Sequence, residues 1–243
     1  MPRASLLPAL VVGALCAGLA SACSPVAVPP GGTGEPGTAA ADGTDRAPVR
    51  VVAVGDSLTA GGRGLLSDGL DADTWLTYAV GDDVAWVGGW AKGGSTTQEQ
   101  ADAVSPVPDA DVLVLLSGTN DVRRGLTFDR SAAAYDSVVA TVGAEHVVVA
   151  AIPPWERDPG AADRFDRALE LHALRRGWTF VDPWTFLRDG VHFAPGTSPD
   201  GIHPTTEGYA RLGRELRVAI LAAGAPEPDA LAAPGTAPGT ASR

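Results

Sequence analysis

A serine, a histidine and an aspartate stand where acyl transfer needs them. Ser57 lies in Gly55-Asp56-Ser57-Leu58-Thr59, and His203 ends Asp200-Gly201-Ile202-His203. A serine hydroxyl is a poor nucleophile until a neighbouring base takes its proton. Imidazole suits that task because its ordinary titration range lies near neutral pH. The base in turn needs a carboxylate on its other nitrogen to hold one tautomer. Asp200 precedes His203 in a turn rich in Pro and Gly, so both side chains can face one site. Acyl transfer also needs N–H donors for the developing oxyanion. The backbone amides of Ser57 and Gly94 and the side-chain amide of Asn120 can supply them. Gly94 suits the role because no Cβ blocks close approach.

The elements that must hold these residues are legible as alternating patterns. Apolar, β-branched runs occur at 49–54, 83–87, 112–116, 146–150 and 178–181. Short, nearly continuous runs of this kind suit strands covered on both faces, as in a parallel sheet. Helical patterns lie between and after them, at 131–142, 161–176 and 205–222. The last carries Tyr209, Leu212, Leu216 and Ile220, a stripe that faces a core. Strand–helix alternation implies an open α/β sandwich. Ligands in such folds bind beyond the C-terminal ends of the strands. Gly55–Thr59, Gly93–Thr97 and Ser117–Asp121 all fall at or just beyond strand ends, and Ser198–Pro204 precedes the last helix.

Four blocks, Gly55-Asp56-Ser57-Leu58, the glycines at 93–94, Gly118-Thr119-Asn120-Asp121 and Asp200-Gly201-Ile202-His203, thus occur in a fixed order. In that order the sequence resembles the SGNH/GDSL hydrolases over about residues 49–222. Each block alone is weak, because Asn-Asp also makes turns and caps, and Asp-x-x-His is common. The resemblance implies a flavodoxin-like three-layer α/β/α sandwich with a five-stranded parallel sheet. It implies esterase, lipase or deacetylase activity through an acyl-enzyme. It also implies Ser57 as nucleophile, Asp200 and His203 as its partners, and an oxyanion hole of Ser57, Gly94 and Asn120. The second block departs from the family pattern, with Lys92-Gly93-Gly94 before Ser95, so Gly93 stays open beside Gly94. The Gly-x-Ser-x-Gly elbow of α/β-hydrolases is absent.

Trp90 and Trp155 belong to loops expected at the site face, where aromatic walls bind sugar rings and acyl chains alike. Packing of loops onto the scaffold is the competing role for both. Trp75, Trp86, Trp178 and Trp184 are expected in core or loop packing. His146 and His172 read as surface or core residues, whereas His192 lies nearer the last block. Asp121 is expected to hold its loop or cap the next segment. Arg63, Arg123 and Arg124 lie near the site loops, where they could bind an anionic substrate group, although solvated surface arginines are the safer reading. No His/Cys/Asp cluster has zinc spacing, so neither a cofactor nor a catalytic metal is expected.

The chain carries 18 Lys+Arg against 29 Asp+Glu, a net charge of -11. That balance argues against nucleic acid as a partner. The ends look unlike a globular domain. Arg3 and the apolar run Leu6–Leu19 suit a signal peptide over 1–22, since the run is too short to span a bilayer. Ala20-Ser21-Ala22 forms a cleavage site, and Cys23 follows in the position of a lipoprotein cysteine. Residues 23–46 read as a flexible linker, 47–223 as the hydrolase domain and 224–243 as a disordered tail. Cys16 and Cys23 are the only cysteines, so the domain has neither disulfide nor thiol nucleophile. The expectation is therefore an extracytoplasmic or secreted serine esterase, monomeric and touching the membrane only through a lipid at Cys23. Its expected substrate is a small ester or acylated glycan, with short acyl groups favoured. Acyl transfer to cell-surface glycans and non-enzymatic envelope binding are the alternatives.

Overall fold

The computed structural model describes residues 46–225. The expected signal peptide, Cys23, nearly all of the linker, and the tail beyond Ala225 lie outside the described residues. The elements in chain order are β1 (Val49–Gly55), α1 (Ser57–Ala60), α2 (Leu76–Ala79), β2 (Val84–Ala91), α3 (Thr97–Ala103), β3 (Val112–Leu116), α4 (Thr119–Arg123), α5 (Phe128–Val142), β4 (His146–Ala150), α6 (Pro159–Arg176), β5 (Thr179–Val181), β6 (Arg188–Asp189), β7 (His192–Phe193) and α7 (Thr206–Ala223).

Strands β1 to β5 form one sheet in the order β2-β1-β3-β4-β5, with every pair parallel. The alternation of side chains along each strand divides the core in two. Val51, Ala53, Val114, Leu116 and Val148 pack with Leu212, Leu216 and Ile220 of α7 and Leu76 of α2. Val52, Val54, Leu113, Leu115 and Val149 pack with Tyr135 and Val138 of α5 and Phe165 and Leu169 of α6. The result is the three-layer α/β/α sandwich expected from the sequence. Successive strands are laid to one side of β1 and then, from β3, to the other. The reversal between β1 and β3 is the topological switch point, where open α/β sheets bind ligands.

Strand β2 runs four residues past the stretch expected for it. A Gly-Gly pair reads as a strand breaker, yet Gly88 and Gly89 continue the pairing, after a register shift that leaves Val87 unpaired. A Cβ on Gly89 would stand 2.0 Å from the Ala53 carbonyl oxygen, so only glycine allows the two backbones to approach there. Trp90 is consequently part of β2 and not of a loop, a correction to the sequence reading. Helix α3 has no counterpart among the expected helices. Its N-terminus is a capping box in which the Thr96 hydroxyl accepts from the Glu99 N–H and Glu99 accepts from the Thr96 N–H.

Candidate active site

Block one turns from β1 directly into α1. Asp56 is the N-cap, its Oδ1 accepting the Leu58 N–H at 3.0 Å, and Ser57 is the first helical residue. This turn is pinned from below. The buried Trp75 indole donates to Thr59 Oγ1 at 3.0 Å, and Thr74 Oγ1 donates to the Thr59 carbonyl at 2.7 Å. Ser57 is thereby fixed just beyond the carboxyl end of β1.

The fourth block is a local turn built by its own side chains. Asp200 Oδ1 accepts the backbone N–H groups of Ile202 (3.0 Å) and His203 (2.8 Å). Ser198 Oγ accepts from the Gly201 N–H and donates to the His203 carbonyl. Gly201 has φ +74°, and a Cβ there would lie 2.9 Å from the Glu156 side chain, so the turn requires glycine. The other oxygen of Asp200 lies 2.7 Å from His203 Nδ1, and His203 Nε2 lies 2.7 Å from Ser57 Oγ. With the ring proton on Nδ1 facing the carboxylate, Nε2 accepts the Ser57 hydroxyl proton. Partial burial on its own would raise the Asp200 carboxyl. The His203 N–H, the His203 ring and the Ile202 N–H outweigh it and hold the group below its usual value, so it stays ionised.

The three strand-end blocks touch one another: a Cβ on Gly93 would lie 4.0 Å from Ser57 Cβ, and Asn120 reaches both Asp56 and Ser95. Gly93 donates its N–H to the Gly64 carbonyl at 2.8 Å. The Gly94 and Ser57 amides donate to no acceptor among the described residues. Of the two glycines left open by the sequence, Gly94 is therefore the one able to donate outward. Asn120 is buried, its Nδ2 donating to the Ser95 carbonyl at 3.0 Å, and its Oδ1 accepts from Arg123 Nη1 at 2.9 Å. The second Nδ2 proton has only a long contact, 3.4 Å to Asp56 Oδ2, which a closer oxyanion would displace. Asp121 accepts from the Thr97 N–H (3.0 Å), the Thr97 hydroxyl (2.6 Å) and the Ser131 hydroxyl (2.8 Å), binding blocks two and three to α5.

Two further residues bear on the site although the sequence assigns them no role: Asp56 stands inside block one, and Glu156 lies outside all four blocks. Asp56 is fully buried, and desolvation pushes its carboxyl up to about 7 against the opposing pull of the Leu58 N–H and of His203. Glu156 clasps the Asp200–His203 turn from outside. Its N–H donates to the Gly201 carbonyl (3.2 Å), while its carboxylate accepts the Phe193 N–H (2.7 Å) and contacts His192 Nδ1 (3.0 Å). Those contacts, the His192 ring first, hold the Glu156 carboxyl below its usual value. His192 thus supports the turn at one remove and does not line the cavity of Ser57. Glu156→Ala is expected to lower kcat about tenfold, with a smaller change in KM, because the Asp200–His203 turn loses its outer support. An unchanged kcat with p-nitrophenyl acetate would refute that role.

Ser57 and His203 border a cavity of about 540 Å³, shared with Gly61, Gly62, Asp73, Pro199 and Tyr209. Trp155 borders a second cavity with Gly94 and Asn120, and Trp90 a third with Lys92, Gly93 and Gly94. Neither tryptophan lines the cavity of Ser57. Trp75 and Trp184 are fully buried, and His172 is buried against Asp136, Phe128 and Trp178, as packing roles require. The cavity beneath α6, lined by Asp163, Asp166 and Arg188, contains none of these residues. No group of metal-ligating side chains occurs among the described residues.

Solved structures with this fold include a catalytic mutant of an acetylxylan esterase from Geobacillus stearothermophilus, 20% identical with a TM-score of 0.53. The match covers 72% of this chain and 94% of that one. A GDSL-like lipase from Bacteroides thetaiotaomicron matches at 20% identity and TM-score 0.53, over 72% of this chain and 89% of that one. A member of the lipolytic protein G-D-S-L family from Veillonella parvula matches at 16% identity and TM-score 0.53, over 68% and 94%. Among curated proteins no relative matches the chain. The model of the GDSL-like lipase/acylhydrolase family matches residues 53–211, which span all four blocks. The chain therefore belongs to the GDSL-like lipase/acylhydrolase family, a family of ester hydrolases.

Proposed function

We propose that this protein hydrolyses carboxylic esters of short acyl groups, acetylated carbohydrate among them, through an acyl-enzyme on Ser57. The observation that carries the reading is the unbroken relay from Asp200 Oδ2 through His203 to Ser57 Oγ, with 2.7 Å at each contact. His203 Nε2 takes the hydroxyl proton as Ser57 Oγ bonds to the ester carbonyl carbon. The resulting oxyanion is received by the Ser57 and Gly94 amides and Asn120 Nδ2. His203 then returns the proton to the leaving alkoxide, which departs as the alcohol. A water deprotonated by His203 releases the acid and restores Ser57.

The lining of the Ser57 cavity has Pro199, Pro204 and Tyr209 as its apolar side chains and no branched aliphatic residue, which supports short acyl groups over long chains. The acetylxylan esterase among the structural neighbours agrees with an acetylated sugar as substrate. The signal-like N-terminus and Cys23 support an extracytoplasmic protein held at the membrane by lipid, and the default assembly is a monomer.

A p-nitrophenyl ester series from acetyl to long acyl chains tests the reaction, with a fluorophosphonate as covalent probe. Turnover highest for acetyl to butyryl is expected, together with one phosphonyl adduct mapped to Ser57 and loss of turnover in step with labelling. Turnover that survives complete labelling of Ser57, or an adduct on another residue, would overturn the assignment.

A further inference from the structure

The cavity next to the oxyanion donors is charged in a way that the hydrolytic reading does not use. The chain as a whole is strongly acidic. Yet the cavity that Gly94 and Asn120 share, about 360 Å³, is walled by Arg123, Arg124, Arg157 and Trp155, with no carboxylate in its lining. Arg123 is aimed by its bond to Asn120 Oδ1, and Arg124 by a 2.7 Å bond from Nη2 to the Gly94 carbonyl. Arg124 is partly spent on Glu99, 3.4 Å away. Arg157 has no hydrogen-bond or ion-pair partner among the described residues. A guanidinium carries five donors, so each of the three keeps donors to spare.

The cavity bordered by Ser57 itself is charged differently. The cavity of Ser57 and His203 contains Asp73 and no Lys or Arg. A substrate ester at Ser57 whose carbonyl oxygen reaches Gly94 and Asn120 therefore has the cationic cavity beside that oxygen. Guanidinium groups recognise planar oxyanions by paired N–H donors, and Trp155 adds an aromatic wall beside them.

We propose that the Arg123–Arg124–Arg157 cavity is an anion subsite, so that this protein prefers esters carrying a carboxylate close to the scissile bond. The proposal rests on the hydrolytic reading above and names the substrate class of the same site. Arg157 is the free reader of the anion. Arg123 and Arg124 join the subsite to the oxyanion donors, so an anion held there is placed at a fixed distance from the reacting carbonyl.

Two pairs of esters test this in the full-length protein. p-Nitrophenyl hydrogen succinate is compared with its methyl ester, which places the charge on the acyl side. 4-Acetoxybenzoate is compared with its methyl ester, which places it on the alcohol side. A preference of about tenfold or more in kcat/KM for the acid is expected in one pair, identifying the side that faces the arginines. That preference is expected to shrink in Arg157→Gln, to reverse in Arg157→Glu, and to fall as salt rises from about 0.05 to about 0.5 M. Equal kcat/KM within both pairs would overturn the subsite, as would a preference that both Arg157 variants retain. Calorimetric binding of the same esters to Ser57→Ala reads the subsite without catalysis. Tighter binding of an acid than of its methyl ester supports it, and equal binding overturns it. Turnover that persists in Ser57→Ala counts against the nucleophile alone, so the two failures are distinguishable.

Discussion

Asp200→Asn is expected to lower kcat for ester hydrolysis about 10³-fold while leaving the fold in place. The substituted amide can keep only one of the two jobs that the carboxylate does. If its oxygen goes on accepting the Ile202 and His203 N–H groups, its NH2 faces His203 Nδ1 across a 2.7 Å contact. Donor then opposes donor, the ring proton moves to Nε2, and the base can no longer take the Ser57 proton. If the amide turns over, the ring keeps its tautomer but two backbone donors lose their acceptor and the turn opens. The side chain of Asp200 is 48% exposed, so water softens the loss relative to a fully buried carboxylate. Residues that act as one unit are not additive. The double variant Ser57→Ala/Asp200→Asn is accordingly expected to be no slower than Ser57→Ala alone. Single-turnover kinetics on p-nitrophenyl acetate measure both claims, and a loss under about tenfold for Asp200→Asn would mean that His203 does not depend on this carboxylate.

Why some of this site is readable from residue order, and some is not, has physical causes. The runs Val112–Leu116 and His146–Ala150 coincide with β3 and β4 because a doubly covered strand leaves an uninterrupted apolar signature. Ser57, Gly94, Asn120, Asp200 and His203 fall together because each lies in or beside a short turn whose composition marks it, and the open α/β pattern says where such turns converge. Block two is ambiguous between two glycines. Only the Gly93 bond to the distant Gly64 carbonyl separates them, and a single sequence holds no trace of that contact. Trp90 departs from its expected loop because Gly-Gly is a strand breaker by composition and here is a strand by close approach of β1. Helix α3 has a readable signal, Thr96 followed three residues later by Glu99, but lacks the apolar periodicity that would draw attention to it. Glu156 acts through residues that lie 36 and more positions away, so no local pattern can mark it. The arginines are legible as residues but not as a cluster, since Arg157 lies in the loop before α6 whereas Arg123 and Arg124 end α4.

The burial of Asp56 is equally invisible in the sequence, and its largest consequence is a dependence of stability on pH. Burial raises its folded carboxyl from 3.8 to about 7, while the unfolded chain titrates at the ordinary value. Between those two values the folded protein keeps a proton that the unfolded chain has released. Stability therefore falls as pH rises through this window, and above about 7 the full penalty of a buried charge remains. The penalty is on the order of 4 kcal/mol. Asp56→Asn is neutral at every pH and keeps an oxygen for the Leu58 N–H, so it is expected to gain about that much over wild type between about pH 4 and about pH 8. Asp166, raised to about 8 chiefly by burial, slopes the same way and is retained, so the variant's own slope is reduced and not abolished. A carboxyl with this cost is explained by what it faces. Its charge lies close enough to His203 to favour the imidazolium formed during acylation, and its Oδ2 meets Asn120 Nδ2. In Asp56→Asn an amide NH2 confronts the Asn120 amide, and the charge that favours protonated His203 is gone. The variant is therefore expected to be more stable and about tenfold slower at about pH 8, where Asp56 is ionised in the wild type. Urea unfolding at about pH 4, 6 and 8, paired with kcat at the highest of these, separates the two effects. Parallel stability curves for variant and wild type would mean that Asp56 is ionised throughout, and its role would then be that of a cap.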